Sequence, residues 1–152
     1  MKFTESLVSG KESERLVLNI IKNKYPQAYI KEGYHKEYDI MIPETNKTVE
    51  VKKDFKSQYT GNIVVEISMN NKRSALSTTT ADWWVFHTND KELIWITPKN
   101  IKEMIYMEKF EPVEFTGKGD TVSKVAYLIP KAYFSIYGTN SKLNQGVNND
   151  ST

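Results

Sequence analysis

The chain contains no cysteine, which excludes disulfides and thiolate zinc sites. It has only two histidines, His35 and His87, too far apart for a paired metal-ligand spacing. No apolar run approaches the ~18 residues that would cross a bilayer, so no membrane association is expected. The N-terminal segment MKFTESLVSGKE has no apolar stretch of the signal-peptide kind, and the cytoplasm is the expected compartment. A large excess of either charge is absent too. A net charge of +2 neither demands nor excludes nucleic acid, because acids at a metal site would mask bases on a binding face. The stretch Thr116-Gly117-Lys118-Gly119-Asp120 is rich in glycine but lacks the spacing and the following helix of a phosphate-cradling loop.

What is present suits one globular domain. A chain of 152 residues, 39% hydrophobic, can bury a real core. Residues 1–137 read as a single domain, and 138–152, GTNSKLNQGVNNDST, as a polar mobile tail that buries little.

The most informative stretch is Tyr38 to Lys52, YDIMIPETNKTVEVK. Folded as a hairpin about Pro43-Glu44-Thr45-Asn46, it sets Asp39 directly opposite Glu50. Lys52 shares the Glu50 face, because side chains alternate along a strand. The reverse face carries Tyr38, Ile40, Ile42, Val49 and Val51, a core pattern. Facing carboxylates destabilise a ladder, and a bound divalent cation would offset them. The alternative is an exposed hairpin in which Lys52 pairs with Glu50 or Glu37.

Around this hairpin the pattern predicts a helix from about Ser9, capped there with Glu12 near N3, and ending at Tyr25-Pro26. Glu14 lies on the same stripe as Val17, Leu18 and Ile21, and an unpaired carboxylate there is costly to bury. It either reaches water or a basic partner, or points at the acidic face of the hairpin. Strands are expected over about 37–42, 47–53, 63–67, 83–87, 92–97 and 123–129, with short extended pieces at 28–32 and 110–115. Ser57 to Asn62 reads as a loop, and Asn70 to Ala81 as a short helix or irregular crossover. Pro98 opens a helix over about 98–108, and a helical turn is expected through Tyr133-Phe134. The fold class is therefore α/β.

Asp39, ten residues and then Glu50-Val51-Lys52 resembles the motif of the PD-(D/E)XK nuclease superfamily, with Tyr38 in place of the motif's proline. Gly10-Lys11-Glu12-Ser13-Glu14-Arg15-Leu16-Val17 is similar to the first helix of some members, including Holliday-junction resolvases. Ser77-Thr78-Thr79-Thr80-Ala81-Asp82-Trp83-Trp84 and Tyr127-Leu128-Ile129-Pro130 look like segments of small phage-type endonucleases. The resemblance implies a restriction-endonuclease-like core, a central mixed sheet flanked by helices in the order α-β-β-β-α-β. It implies a metal-dependent DNA endonuclease of phage or homing type, at work in a bacterial or phage-infected cell. Mg²⁺, replaceable by Mn²⁺, would be held by Asp39, Glu50, the Val51 carbonyl and Glu14. Lys52 would orient the attacking water or stabilise the developing charge, and Glu66 would extend the acidic face if its strand paired with the hairpin. Lys53, Lys56, Lys72, Arg73 and Lys118 are the candidate phosphate contacts. Cutting both strands implies a homodimer or higher homo-oligomer. The alternatives are a junction resolvase and a non-catalytic DNA-binding or assembly protein on the same fold.

Overall fold

The computed structural model describes residues 2–33, 36–116 and 122–143, with side chains from Gly10 onward. The element order is α1 (Lys2–Lys22), β1 (Tyr29–Ile30), β2 (Ile40–Ile42), β3 (Lys47–Lys53), α2 (Ser57–Thr60), β4 (Asn62–Met69) and β5 (Lys72–Arg73). A 3₁₀ turn (Ala75–Ser77) follows, then β6 (Trp83–Asn89), β7 (Glu92–Ile96), α3 (Pro98–Glu108), β8 (Val113–Thr116), β9 (Ser123–Pro130), α4 (Lys131–Tyr137) and β10 (Thr139–Lys142).

The strands form two sheets. One is mixed and six-stranded, in the order β1-β2-β3-β6-β7-β10; the other has four strands, in the order β5-β4-β9-β8. β3 and β6 run parallel, and the other pairs are antiparallel. The hairpin register is Ile40 to Val49, Met41 to Thr48 and Ile42 to Lys47, as a turn centred between Glu44 and Thr45 requires. Asn46 takes a positive φ of 58° to close that turn, a conformation asparagine tolerates better than most residues.

The six-stranded sheet is covered on both faces. On one side α1 packs Val17 and Ile21 against Ile40, Ile42, Val49, Val51, Val85 and Leu93. On the other, Trp84, Phe86, Ile94 and Ile96 meet the second sheet (Ile63, Val65, Ile129), Ile101 and Met104 of α3, and Phe134 of α4. Burial on both faces explains why β6 reads as a near-continuous apolar run rather than an alternating one. α3 begins where expected, with Thr97 accepting from the Asn100 N–H at 3.1 Å and Pro98 in the first turn.

Several expectations give way. The first helix starts at Lys2, so Ser9 lies inside it and is not at a cap position; the apolar periodicity of 16–21 marks only the part that packs. The strand expected over 63–67, β4, does not join the hairpin but pairs with β9 in the second sheet. The expected succession of three strands in one sheet is thus not what forms, whereas the Asn70–Ala81 crossover, with β5 and a short 3₁₀ turn, agrees with the expected short helix or irregular crossover. Tyr38 packs with the Trp84/Phe86 core rather than on the Ile40 face, because β2 begins only at Ile40 and the alternation does not extend back to it. The Ser57–Asn62 loop contains α2, ended by Gly61 at φ 79°.

The polar tail also yields structure. Thr139–Lys142 is an edge strand on β7, tied by Trp95 Nε1 donating to Ser141 Oγ at 3.0 Å and Asn140 Nδ2 donating to Glu92 Oε2 at 2.9 Å. An edge strand keeps one side in water, so polar residues suit it. Gly138 precedes it because a Cβ there would lie 2.7 Å from the Trp95 carbonyl oxygen. Gly138→Ala is expected to lower stability by ~1–3 kcal/mol, the usual cost of forcing atoms into a packed site, measurable as a lowered urea midpoint. The remainder of the expected tail, 144–152, and the glycine-rich loop at 117–120 lie outside the described residues.

Candidate metal centre and nucleic-acid cleft

The early stop of β2 creates the site. The Asp39 N–H still donates to the Val49 carbonyl at 2.9 Å. Beyond that point β3 has no strand neighbour on its β2 edge, and the Asp39 carboxylate substitutes for one, accepting from the Val51 N–H at 2.7 Å through Oδ2. The Val51 carbonyl, two residues past that of Val49, points to the same edge of the strand. Asp39 Oδ1 holds Lys36 Nζ at 3.1 Å, and the same ammonium lies 3.7 Å from Glu14 Oε2. Asp39 is nearly enclosed, its side chain 8% exposed.

The two faces of the sheet contribute differently. Glu14 comes from α1, on the Val49/Val51 face; Glu50 and Lys52 point to the opposite face, toward the second sheet. The gap beside Asp39 is where these two sides meet. Burial first, then repulsion from Asp39, pushes the Glu14 carboxyl above its ordinary value. Burial likewise pushes Glu50 up; Lys52 pulls it back, Asp39 adds to the rise, and Lys36 opposes it. Burial alone would lower the Lys36 pKa, but its bond to Asp39 and the charges of Asp39, Glu14 and Glu50 outweigh that and hold it above its ordinary value. Three carboxylates therefore share the field of one cation.

Lys52 Nζ lies 3.3 Å from Glu50 Oε2 and 4.8 Å from the centre of the Trp84 ring. Trp84 is fixed in turn by donating Nε1–H to Thr79 Oγ1 at 3.1 Å. The lysine is thus aimed by a platform, a cation–π contact over an anchored indole. In front of it opens a cleft of about 420 Å³ between the two sheets, lined by Lys36, Glu37, Glu50, Lys52, Glu66 and Thr78–Thr80. Glu66 reaches this cleft from across, on β4; it does not extend the hairpin's face by strand pairing. Its carboxylate accepts from Ser74 Oγ at 2.6 Å and lies 4.0 Å from Lys124 Nζ.

The donor chemistry fits a hard divalent ion, which prefers oxygen ligands: Asp39 and Glu14 already hold the Lys36 ammonium, and the Val51 carbonyl lies on the same strand edge. Among the described residues, no three such side chains form a ready ligand cage. Lys36 bridges Asp39 and Glu14.

The expected phosphate contacts are dispersed. Lys53 is on the α1 face, its Nζ 4.2 Å over the Phe55 ring. Lys56 is exposed beside α2; Lys72 and Arg73 are exposed on β5, where Arg73 Nη2 donates to the Ser77 carbonyl at 2.8 Å. Lys118 lies outside the described residues. The basic groups that line the cleft itself are Lys36 and Lys52. Sequence reasoning missed Lys36: a lysine in an irregular stretch carries no pattern.

A second, larger cavity of about 820 Å³ lies on the α1 face, lined in part by Ser13, Leu16, Lys53, Phe55 and His87. Ser13 Oγ and His87 Nδ1 are 2.7 Å apart and both residues are buried. Burial, then the Lys53 charge, holds the His87 pKa below its ordinary 6.5. An unfolded chain then binds more protons than the folded one below that value, so stability is full above pH 6.5 and falls as pH drops through the window down to the lowered value. Raised carboxylates act in the opposite sense, their contribution being lost as pH rises from 4.5. Urea unfolding between pH 7.5 and 5.5 is expected to show a loss of stability on acidification that His87→Gln removes.

Comparison of the chain with protein-family models, with curated proteins and with solved structures gave no match.

Proposed function

We propose that the protein is a metal-dependent DNA endonuclease with a restriction-endonuclease-like active site. The observation that supports this reading is Lys36 held by both Asp39 and Glu14, with Glu50 and Lys52 paired on the adjoining wall of an open cleft. A divalent cation at that point supplies a Lewis acid for a phosphate oxygen and makes nearby water a better nucleophile. Asp39, Glu50, the Val51 carbonyl and Glu14 would hold it. Lys52 donates from the Trp84 platform toward the oxygen on which charge develops. Thr78, Thr80 and Lys36, which line the cleft, would position the strand along it. One such site makes one cut, so double-strand cleavage or symmetric junction resolution would take a homodimer or higher oligomer.

The test is incubation with supercoiled, linear and branched DNA in Mg²⁺ or Mn²⁺. Relaxed or linear product is expected, absent in EDTA. Lys52→Met is expected to slow cleavage by ~10²–10³-fold, the usual effect of removing one preorganised donor. Cleavage that persists unchanged in Lys52→Met contradicts the assigned chemistry. A non-catalytic DNA-binding protein is the second reading, favoured by the ion pairs of Lys36 and Lys52 that already neutralise the acids. It predicts a DNA mobility shift that is indifferent to EDTA and no cleavage of any substrate.

A further inference from the structure

We infer that Lys36 is a tethered counter-ion of the acidic centre, which a divalent cation must displace in order to bind. This rests on the metal-dependent reading above and adds a controlling residue to it. The geometry is specific. Lys36 Nζ is 3.1 Å from Asp39 Oδ1 and 3.7 Å from Glu14 Oε2, and its charge also acts on Glu50. It therefore pairs with two of the carboxylates assigned to the metal, Asp39 and Glu14, while Glu50 pairs with Lys52.

An ammonium and a divalent cation cannot share that point, because both need the same carboxylate oxygens and repel one another at contact distance. With Lys36 seated, the acids tolerate each other without metal. Asp39 stays bonded to the Val51 N–H throughout by its other oxygen, so the Lys36 side chain can leave without undoing the edge of β3. The lysine is suited to leave: its side chain is 28% exposed, it lies three residues before Asp39 in a segment without regular structure, and it already borders the cleft. The apparent metal affinity is then the intrinsic affinity reduced by the fraction of molecules in which Lys36 is out of the way. A seat occupied about nine-tenths of the time weakens binding about tenfold.

The experiment is calorimetric titration of the intact protein with MnCl₂, comparing the wild type with Lys36→Gln and Lys36→Arg, and circular dichroism to check that each is folded. Lys36→Gln is expected to bind Mn²⁺ about tenfold or more tightly. Lys36→Arg, which keeps a cation in the seat, is expected to remain within about threefold of the wild type. Equal or weaker binding by Lys36→Gln, with binding by the wild type intact, overturns the counter-ion role alone. Equal tightening by both variants also overturns it, since loss of shape rather than charge would then be the cause. Absence of Mn²⁺ binding in all three proteins overturns this inference together with the metal-dependent reading. If Lys36→Gln is unfolded, the Lys36→Met variant is titrated instead, with the same expectations.

Discussion

Replacing Asp39 by asparagine is expected to reduce the proposed metal-dependent cleavage by about 100-fold or more, because even outer partners of metal ligands cost 10–100-fold when lost and Asp39 is proposed as a ligand itself. The substitution is close in shape. The asparagine side chain still presents a carbonyl oxygen to the Val51 N–H, which Asp39 Oδ2 meets at 2.7 Å, so the edge of β3 survives. What is lost is the negative charge that, with Glu14, holds a cation. The loss should therefore appear as vanishing Mn²⁺ heat in calorimetry and vanishing cleavage, with the urea midpoint little changed. Full cleavage by Asp39→Asn would contradict the assigned site. Collapse of the fold would show that Asp39 serves the sheet edge rather than the cation, and Glu50→Gln, whose carboxylate has no backbone bond among those described, then carries the test.

The largest effect on stability is expected at Phe86. Its ring is 1% exposed and makes edge contacts with Trp84 at 6.0 Å and Phe134 at 5.4 Å between ring centres. It links the six-stranded sheet to α4, so neither neighbour can close a cavity without moving a whole element. Phe86→Ala should cost ~3–5 kcal/mol, the range for aromatic truncation in a core. That is a large part of the ~5–15 kcal/mol total of an ordinary domain. Equilibrium urea unfolding measures it directly, and a loss below ~1 kcal/mol would mean that the core repacks around the gap.

Trp84, its neighbour in this cluster, joins stability to function. The same indole that fills the core also supports Lys52 from below. Its Nε1–H reaches Thr79 in the crossover, so the otherwise irregular stretch after β5 becomes part of the cleft wall. A domain core and a site built from the same side chain explain why Lys52 is aimed without any hydrogen-bonded support beyond Glu50.

The hairpin was legible because two local signals agreed: a turn centre fixed the register, and alternation fixed the faces of Ile40, Ile42, Val49, Val51, Glu50 and Lys52. The α3 start was legible from Thr97 and Pro98 for the same reason, since capping is local. The partner of β4 was not legible. Alternation of Ile63, Val65 and Ile67 reads the same whichever strand lies alongside, and only the tertiary packing sends it to β9. The edge strand β10 was hidden because its polarity is that of a tail, and its stability comes from Glu92 and Trp95, far away in sequence. Within the site, the acids stood out because the turn centre set Asp39 opposite Glu50; the ladder in fact ends at Ile40 and Val49, and the Asp39 carboxylate turns to the edge of β3 instead. Lys36 did not stand out, since its role arises from a fold-dependent approach to Glu14 and Asp39. Glu14 comes near Asp39 only through the gap left by β2, because its helix covers the face opposite to Glu50 and Lys52.

The measurement that bears most directly on the central claim is an anomalous difference map from crystals of the protein soaked in MnCl₂. The account predicts a peak within oxygen-ligand distance of both the Asp39 and Glu50 carboxylates, at ~2.0–2.6 Å for a hard divalent ion, with Lys36 Nζ moved off Asp39 Oδ1. A map with no peak there, and with Lys36 still bridging Asp39 and Glu14 at saturating Mn²⁺, would contradict it.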